Sequence, residues 1–224
     1  MAPQIIVSYD GTDNDEDALA LGRLFALAGA SLALAYVRHF PELDSEREEA
    51  AQREAERLLE RGAQGLGMPD MPREVILNPS TSEGLRALAE RVHADAVVFG
   101  SDYRTAAGHV QPGTSAEGLL EGGPVAVAIA PAGVRDRPAI QVRVIAAVDE
   151  GDDSSAHQTA EALAGRLGAT VGDRAADDVD LLVLGSRADG PPGRVSISAA
   201  CRYLIETVGC PVLVLARGTP LHFE

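Results

Sequence analysis

Val97 to Ser115 reads VVFGSDYRTAAGHVQPGTS: an apolar run stops at Gly100-Ser101, a glycine-bearing loop follows, and Thr114-Ser115 opens a new segment. Ala96 to Phe99 is apolar throughout, as a parallel strand buried on both faces requires. The glycine and hydroxyls ahead of Ala116 mark a helix start, so the stretch predicts strand, loop, helix.

Working outward, Ile5-Ile6-Val7 is a short β-branched strand that ends at Asp10-Gly11. Thr12 to Asp17 supplies the cap-formers and acids that a helix N-terminus prefers. Ala18, Leu21, Leu24, Phe25 and Ala28 recur at helical spacing up to Gly29, and Ser31 to Val37 is the next strand. Asp44 to Arg61 is charged around a narrow stripe of Ala51, Ala55, Leu58 and Leu59, a surface helix with one packed face. Glu74 to Leu77 is a third strand, Ser80 and Glu83 form a capping box before Leu85, Leu88, Ala89 and Val92, and Pro124 to Ala130 is a fifth strand. Strands alternating with helices predict an α/β fold, a doubly wound, mostly parallel five-stranded sheet, because each right-handed crossover lays its helix on a face.

After Pro131 to Pro138 (PAGVRDRP), a linker by composition, the pattern restarts. Ile5 to Gly11 (IIVSYDG) answers to Val144 to Gly151 (VIAAVDEG), each with an aspartate at the strand's C-terminal edge. VVFGS at Val97 answers to LVLGS at Leu182, and GPVAVA at Gly123 to CPVLVLA at Cys210. The two units expected are 1–133, near full length, and 138–224, abbreviated. Asp10 stands 90 residues before Gly100 but Asp149 only 36 before Gly185, so the second copy has lost about 54, enough for a helix, a strand and a helix. That loss is expected to remove the strand after the copy's first helix.

The 224 residues carry a formal net charge of -15, which argues against nucleic acid and anionic membrane as partners. No lysine occurs, so all 19 positive charges are arginine, and P-loop and Schiff-base chemistry are excluded. Cys201 and Cys210 have no CxxC partner and read as buried hydrophobes, fitting a reducing cytoplasm. The start lacks a basic n-region and the apolar runs are too short for a bilayer, so a cytoplasmic chain is expected. The five histidines form no HExxH pattern, and His109, inside the loop, reads as a solvated residue.

The loop from Gly100 to Ser115 joins a strand end to a helix N-terminus, where free amides and the helix dipole suit a phosphate. Gly100 and Gly113 permit a turn and a close approach, while Ser101, Thr114 and Ser115 offer hydroxyls. Asp10 ends a strand at the same edge, so adenine or ribose could lie between it and the loop. Asp149 sits among acids and reads as a helix N-cap, outside the site.

At these residues the sequence resembles the universal stress protein family, whose loop runs Gly, two residues, Gly, nine residues, Gly, then Ser or Thr. Gly100, Gly113 and Thr114 match that spacing, while Tyr103 stands at the second glycine and either fills the ligand space or points outward. The resemblance implies an adenosine-fold domain of the adenine nucleotide alpha hydrolase-like kind, holding ATP or AMP, with Mg2+ as a companion of the phosphates. It implies that Asp10 meets adenine or ribose, that Val37 lines the adenine, and that the loop holds the phosphates. In the second copy Ala188 and Ser198 replace two loop glycines, so no nucleotide is expected there. The resemblance also implies that Val125 to Ala130 and Val212 to Ala216 pair antiparallel, an intrachain pseudo-dimer, with a homodimer open to the truncated half. Three functional readings stay open: a nucleotide-sensing stress factor, a slow ATPase or self-phosphorylating protein using Thr114 or Ser115, and a ligand-free protein closed by Tyr103.

Overall fold

The structure, a computed structural model, describes residues 2–137, 140–172 and 179–223. The first copy comprises β1 (Gln4–Ser8), α1 (Asp13–Leu27), β2 (Ser31–Arg38), α2 (Ser45–Leu66), β3 (Arg73–Leu77), α3 (Thr81–Val92), β4 (Ala96–Gly100), α4 (Thr114–Leu120) and β5 (Ala126–Ala130). The second comprises β6 (Val144–Val148), α5 (Ser155–Leu167), β7 (Thr170–Gly172), β8 (Leu181–Leu184), α6 (Ala199–Thr207) and β9 (Val212–Val214). All nine strands form one sheet in the order β3-β2-β1-β4-β5-β9-β8-β6-β7. Every neighbouring pair is parallel except β5 with β9, which run antiparallel in the register Val127 to Val214, Ala128 to Leu213 and Ile129 to Val212.

Strand alternation sends side chains to two layers. Ile5 and Val7 lie in one layer with Leu21, Phe25, Leu59 and Leu163 of α1, α2 and α5, whereas Ile6, Val97 and Val127 lie in the other with Leu85, Leu119 and Ile205 of α3, α4 and α6. Phe25, Leu21 and Leu85 are fully buried, and each such side chain stabilises by about 1.5–3 kcal/mol. The free cysteines Cys201 and Cys210 lie in the second layer, and burial pushes both thiols up, Cys210 to about 11.

Four expectations are revised. The α2 stripe extends past Arg61 to Leu66, because Gly62, Ala63 and Leu66 are also buried and the helix stops only at Gly67, which takes the left-handed φ of 72°. Half of the capping box forms: Ser80 Oγ accepts Glu83 N at 3.4 Å, but Ser80 N donates to Asn78 Oδ1 at 2.9 Å and Glu83 pairs instead with Arg86. The strand expected to be missing from the second copy survives as β7, which pairs with β6 as β2 pairs with β1. Among the described residues the counterparts of α2, β3 and α3 are the parts absent.

The fourth revision concerns the linker. Val134–Asp136 forms a 3-10 turn clamped to α1, where the fully buried Asp17 accepts Gly133 N at 2.8 Å, Arg135 N at 2.7 Å and Arg135 Nη1 at 2.9 Å. Pro138, where the expected linker ends and the second unit begins, lies outside the described residues. Removing that carboxylate leaves backbone donors unpaired at a buried position. Asp17→Ala is expected to cost about 2–4 kcal/mol in urea unfolding, against less than about 1 kcal/mol for Asp136→Ala, which lacks those contacts.

Candidate functional site

The order of β1 between β2 and β4 makes a topological switch point, the place where open α/β sheets hold ligands beyond the carboxyl ends of their strands. A cleft of about 1080 Å³ opens there. Its lining includes all of Asp10, Val37, Gly100, Ser101, Gly113, Thr114 and Ser115, from β1, β2, β4 and α4. It also includes residues the sequence did not single out: Asp15 from α1, Arg38 at the end of β2, His39, Phe40 and Glu42 after it, Thr81 from α3 and Asp102 in the loop.

The loop residues divide by role. The Ser101 hydroxyl is taken up by the protein: it donates to Ala130 O at 2.7 Å and accepts Gln111 N at 3.3 Å, fastening the loop to the end of β5. Gly100 is required by packing, since a Cβ there would lie 1.9 Å from Asn14 O. Gly113 is required by nothing in the protein: its φ of -77° suits any residue, and a Cβ would meet only Asp102 atoms at 4.0 Å. Among the described residues the Thr114 and Ser115 hydroxyls have no protein partner, and Gly113 leaves α4 without a side-chain cap. The Tyr103 ring is 69% exposed at the cleft rim with the Arg104 guanidinium 4.9 Å from its centroid, so it does not fill the cleft. His109 is exposed and is not among the lining residues.

Opposite the loop stand two carboxyls. Burial, with the neighbouring Asp10, pushes Asp15 up to about 8, so it keeps its proton at neutral pH. Burial opposes ionisation of Asp10 as well, but hydrogen bonds with Asp15 and Thr12 outweigh it and hold Asp10 below the usual range. Asp15 Oδ2 accepts the Asp10 amide, and Asp10 Oδ1 accepts Thr12 N at 3.0 Å. On the outer wall Arg38, 8% exposed, grips Glu48 through two hydrogen bonds of 2.8 Å, and this contact holds Glu48 down to about 2. Glu48 Oε2 accepts Glu42 N at 2.8 Å, which fixes the segment bearing His39 and Phe40.

The second copy provides an internal comparison. Ser186 repeats Ser101, donating to Leu215 O at 2.7 Å and accepting Ser196 N at 2.9 Å. Strand register, Ile5 beside Ala96 and Ile145 beside Leu181, makes Glu150 rather than Asp149 the counterpart of Asp10. Asp149 accepts Ala156 N and His157 N at 3.0 and 3.2 Å, the helix-capping role expected of it. Ser198, the counterpart of Gly113, accepts Cys201 N at 3.1 Å and donates to Glu150 Oε1. The space that is open between Asp10 and Gly113 is thus bridged by side chains in the second copy. As for a metal, no group of three or more His, Cys, Asp or Glu side chains is arranged to hold one among the described residues.

Two measurements test these assignments. Ser101→Ala and Ser186→Ala are expected to lower stability by similar amounts, about 1–2 kcal/mol each in urea unfolding, since both hydroxyls fasten a loop. Asp15 holds its proton in the folded chain until about pH 8, whereas an unperturbed aspartate releases it near 3.8. The unfolded chain then binds fewer protons across that window, so this group's contribution to stability falls as pH rises from about 4 to 8. Asp15→Asn is expected to be more stable than the parent by about 1–3 kcal/mol at pH 8.5 and by less at pH 5, a difference that unfolding at the two pH values reads directly.

Comparison with known proteins fits this geometry. The profile described as the universal stress protein family matches residues 1–131. A universal stress protein from Archaeoglobus fulgidus DSM 4304 superposes with a TM-score of 0.70 at 17% identity, covering 96% of this chain and 98% of that one. A functionally unknown protein from Pseudomonas aeruginosa PAO1 superposes with a TM-score of 0.63 at 16% identity, over 97% and 93% of the respective chains. At such identities the likeness is one of fold. A search of curated proteins gives no match. No helix among the described residues is long and apolar enough to cross a membrane. The chain belongs to the universal stress protein family, with the family's match falling on the copy whose cleft is open.

Proposed function

We propose that the first copy binds an adenine nucleotide, ATP or AMP, and that the chain serves a stress response as a nucleotide-sensing module rather than as a metabolic enzyme. The observation that carries this is Gly113. Neither backbone angle nor packing calls for glycine there, and the cleft it borders is bridged in the second copy by Ser198 and Glu150. A ligand lying against the loop is what would require the missing side chain.

In this reading base or ribose sits against Asp10 and Val37, and phosphate meets the amides after Gly113 with the Thr114 and Ser115 hydroxyls. Gly100 and Ser101 shape the loop. The exposure of Thr114 and the lack of a protein partner for its hydroxyl favour, as a second reading, slow self-phosphorylation at that residue. The same proposal divides the chain at 1–133 and 138–224 and treats the β5–β9 pairing as a pseudo-dimer within one cytoplasmic chain. The shortened copy, without counterparts of α2 and α3 among the described residues, would be the part available to a homodimer.

Denaturing freshly purified protein and chromatographing the released small molecules tests the reading, beside a thermal-shift titration. A ligand that binds only the folded state adds about 2.7 kcal/mol at a concentration of 100 Kd. At this chain length that corresponds to a rise in Tm of roughly 5–10 °C. Gly113→Val is expected to abolish the rise while costing no more than about 1 kcal/mol of unliganded stability, the loss from replacing glycine at an N-cap. Absence of nucleotide together with no rise at millimolar ATP, ADP or AMP would overturn the reading.

A further inference from the structure

Resting on that nucleotide reading, we propose that Asp102 makes the first-copy cleft discriminate against added phosphate, so that it takes adenosine or AMP in preference to ATP. Asp102 sits where phosphate has to come. Its N donates to Gln111 O at 2.8 Å, and its Oδ1 accepts Arg104 N at 3.0 Å, so the carboxylate is held in place rather than swinging free. Its Oδ2 lies 4.0 Å from the point where Gly113 would bear a Cβ. Any anion drawn to the amides after Gly113 therefore approaches a fixed negative charge at close range.

The second copy shows that this loop can be built otherwise. Arg187 occupies the corresponding place, its N donating to Ser196 O at 2.7 Å as Asp102 N donates to Gln111 O. One backbone geometry thus carries an arginine, paired with Asp189 through bonds of 2.9 and 2.6 Å, in the copy whose cleft is bridged and an aspartate in the copy whose cleft is open. A site built to take a triphosphate would place these charges the other way round.

At the rim the Arg104 guanidinium lies over the Tyr103 ring. Among the described residues that line it the one guanidinium is Arg38, and Glu48 already holds it through two hydrogen bonds. Asp10, kept ionised, and Glu42 add further negative charge on the lining, and the whole chain carries -15 with no lysine to offset it. Two unit charges about 5–6 Å apart in a partly solvated cleft change an affinity by about tenfold or more, and the effect grows with each phosphate. Adenosine escapes this repulsion, AMP meets part of it, and ATP meets all of it.

Isothermal titration of the full chain with adenosine, AMP and ATP in metal-free buffer reads the order directly. The expected Kd rises along that series, with ATP at least about tenfold weaker than adenosine, and the gap narrows at about 0.5 M salt, where screening shortens to a few ångströms. In Asp102→Asn and Asp102→Arg the ratio of ATP to adenosine Kd is expected to fall by about tenfold or more, Arg beyond Asn. A parent protein that binds ATP as tightly as adenosine overturns the proposal and leaves nucleotide binding standing. So does a ratio unchanged in both variants when their Tm values match the parent's. Binding of none of the three removes the nucleotide reading and this inference with it.

Discussion

The antiparallel contact between β5 and β9 is the constraint on which the molecule turns. All five residues of β5 are buried, and so are those of β9. Alone, either strand would end its own parallel sheet as an open apolar edge, the feature that drives sheets to pair with whatever they meet. Joining the two last strands removes both edges at once and makes nine strands one sheet. It also brings α4 and α6 together, where Arg202 Nη1 meets Glu117 Oε1 at 2.7 Å, and it lets Val195 exchange hydrogen bonds of 2.9 and 2.8 Å with Gly122 and Gly123. The helix that starts at the first-copy loop is thereby braced by the second copy.

Within that frame each copy is held by the same small fastenings. Ser101 and Ser186 tie loop to last strand, and Asp95 and Asp180 accept from the start of β1 and β6 at 2.7 and 3.1 Å. Gly133 and Gly218 donate to aspartates, the fully buried Asp17 and the half-buried Asp153, at 2.8 Å each. The scaffold is therefore common, and chemistry differs at a few positions: Asp10 against Glu150, Asp102 against Arg187, Gly113 against Ser198. None of these changes needs the backbone to move. At these positions the copies differ in side-chain charge and volume.

Most strands and helices were legible because their signals are local: apolar runs for β4 and β5, helical spacing for α1, caps and acids at helix starts. The strand endings shared by the two halves, VVFGS with LVLGS and GPVAVA with CPVLVLA, are what suggested a repeat. What stayed hidden depends on partners remote in sequence. Asp17 reads as one acid among several at a helix start, and only its distance to Gly133 makes it a clamp. Ser101 reads as a phosphate ligand until Ala130 appears beside it, 29 residues on. Gly100 reads as a turn glycine, whereas the approach of Asn14 O explains it. The pairing of Asp10 with Asp149 slipped by one residue because both candidates are acidic, and register alone decides for Glu150. Strand β7 was missed because three residues carry no periodicity to read.

The form of the second copy follows from what it retains. Its described residues keep β9, which pairs with β5, and beyond it in the same sheet β8 and β6, with α5 and α6 in the two layers that cover the strands. The counterparts of α2, β3 and α3 are the absent parts, and in the first copy α2 and α3 with the segment after β2 wall the cleft through Ala51, Thr81, His39 and Phe40. Loss of those elements removes a ligand's outer wall without uncovering the shared edge. Once the wall is gone, an open gap between the strand end and the loop would expose polar groups with no ligand to meet them. The Glu150–Ser198 hydrogen bond answers that need, since it satisfies a carboxylate and caps α6 with the same hydroxyl. Truncation and bridging go together in the described residues: the second copy lacks counterparts of the elements that wall the first-copy cleft, closes the gap with Glu150 and Ser198, and keeps the strand that pairs with β5.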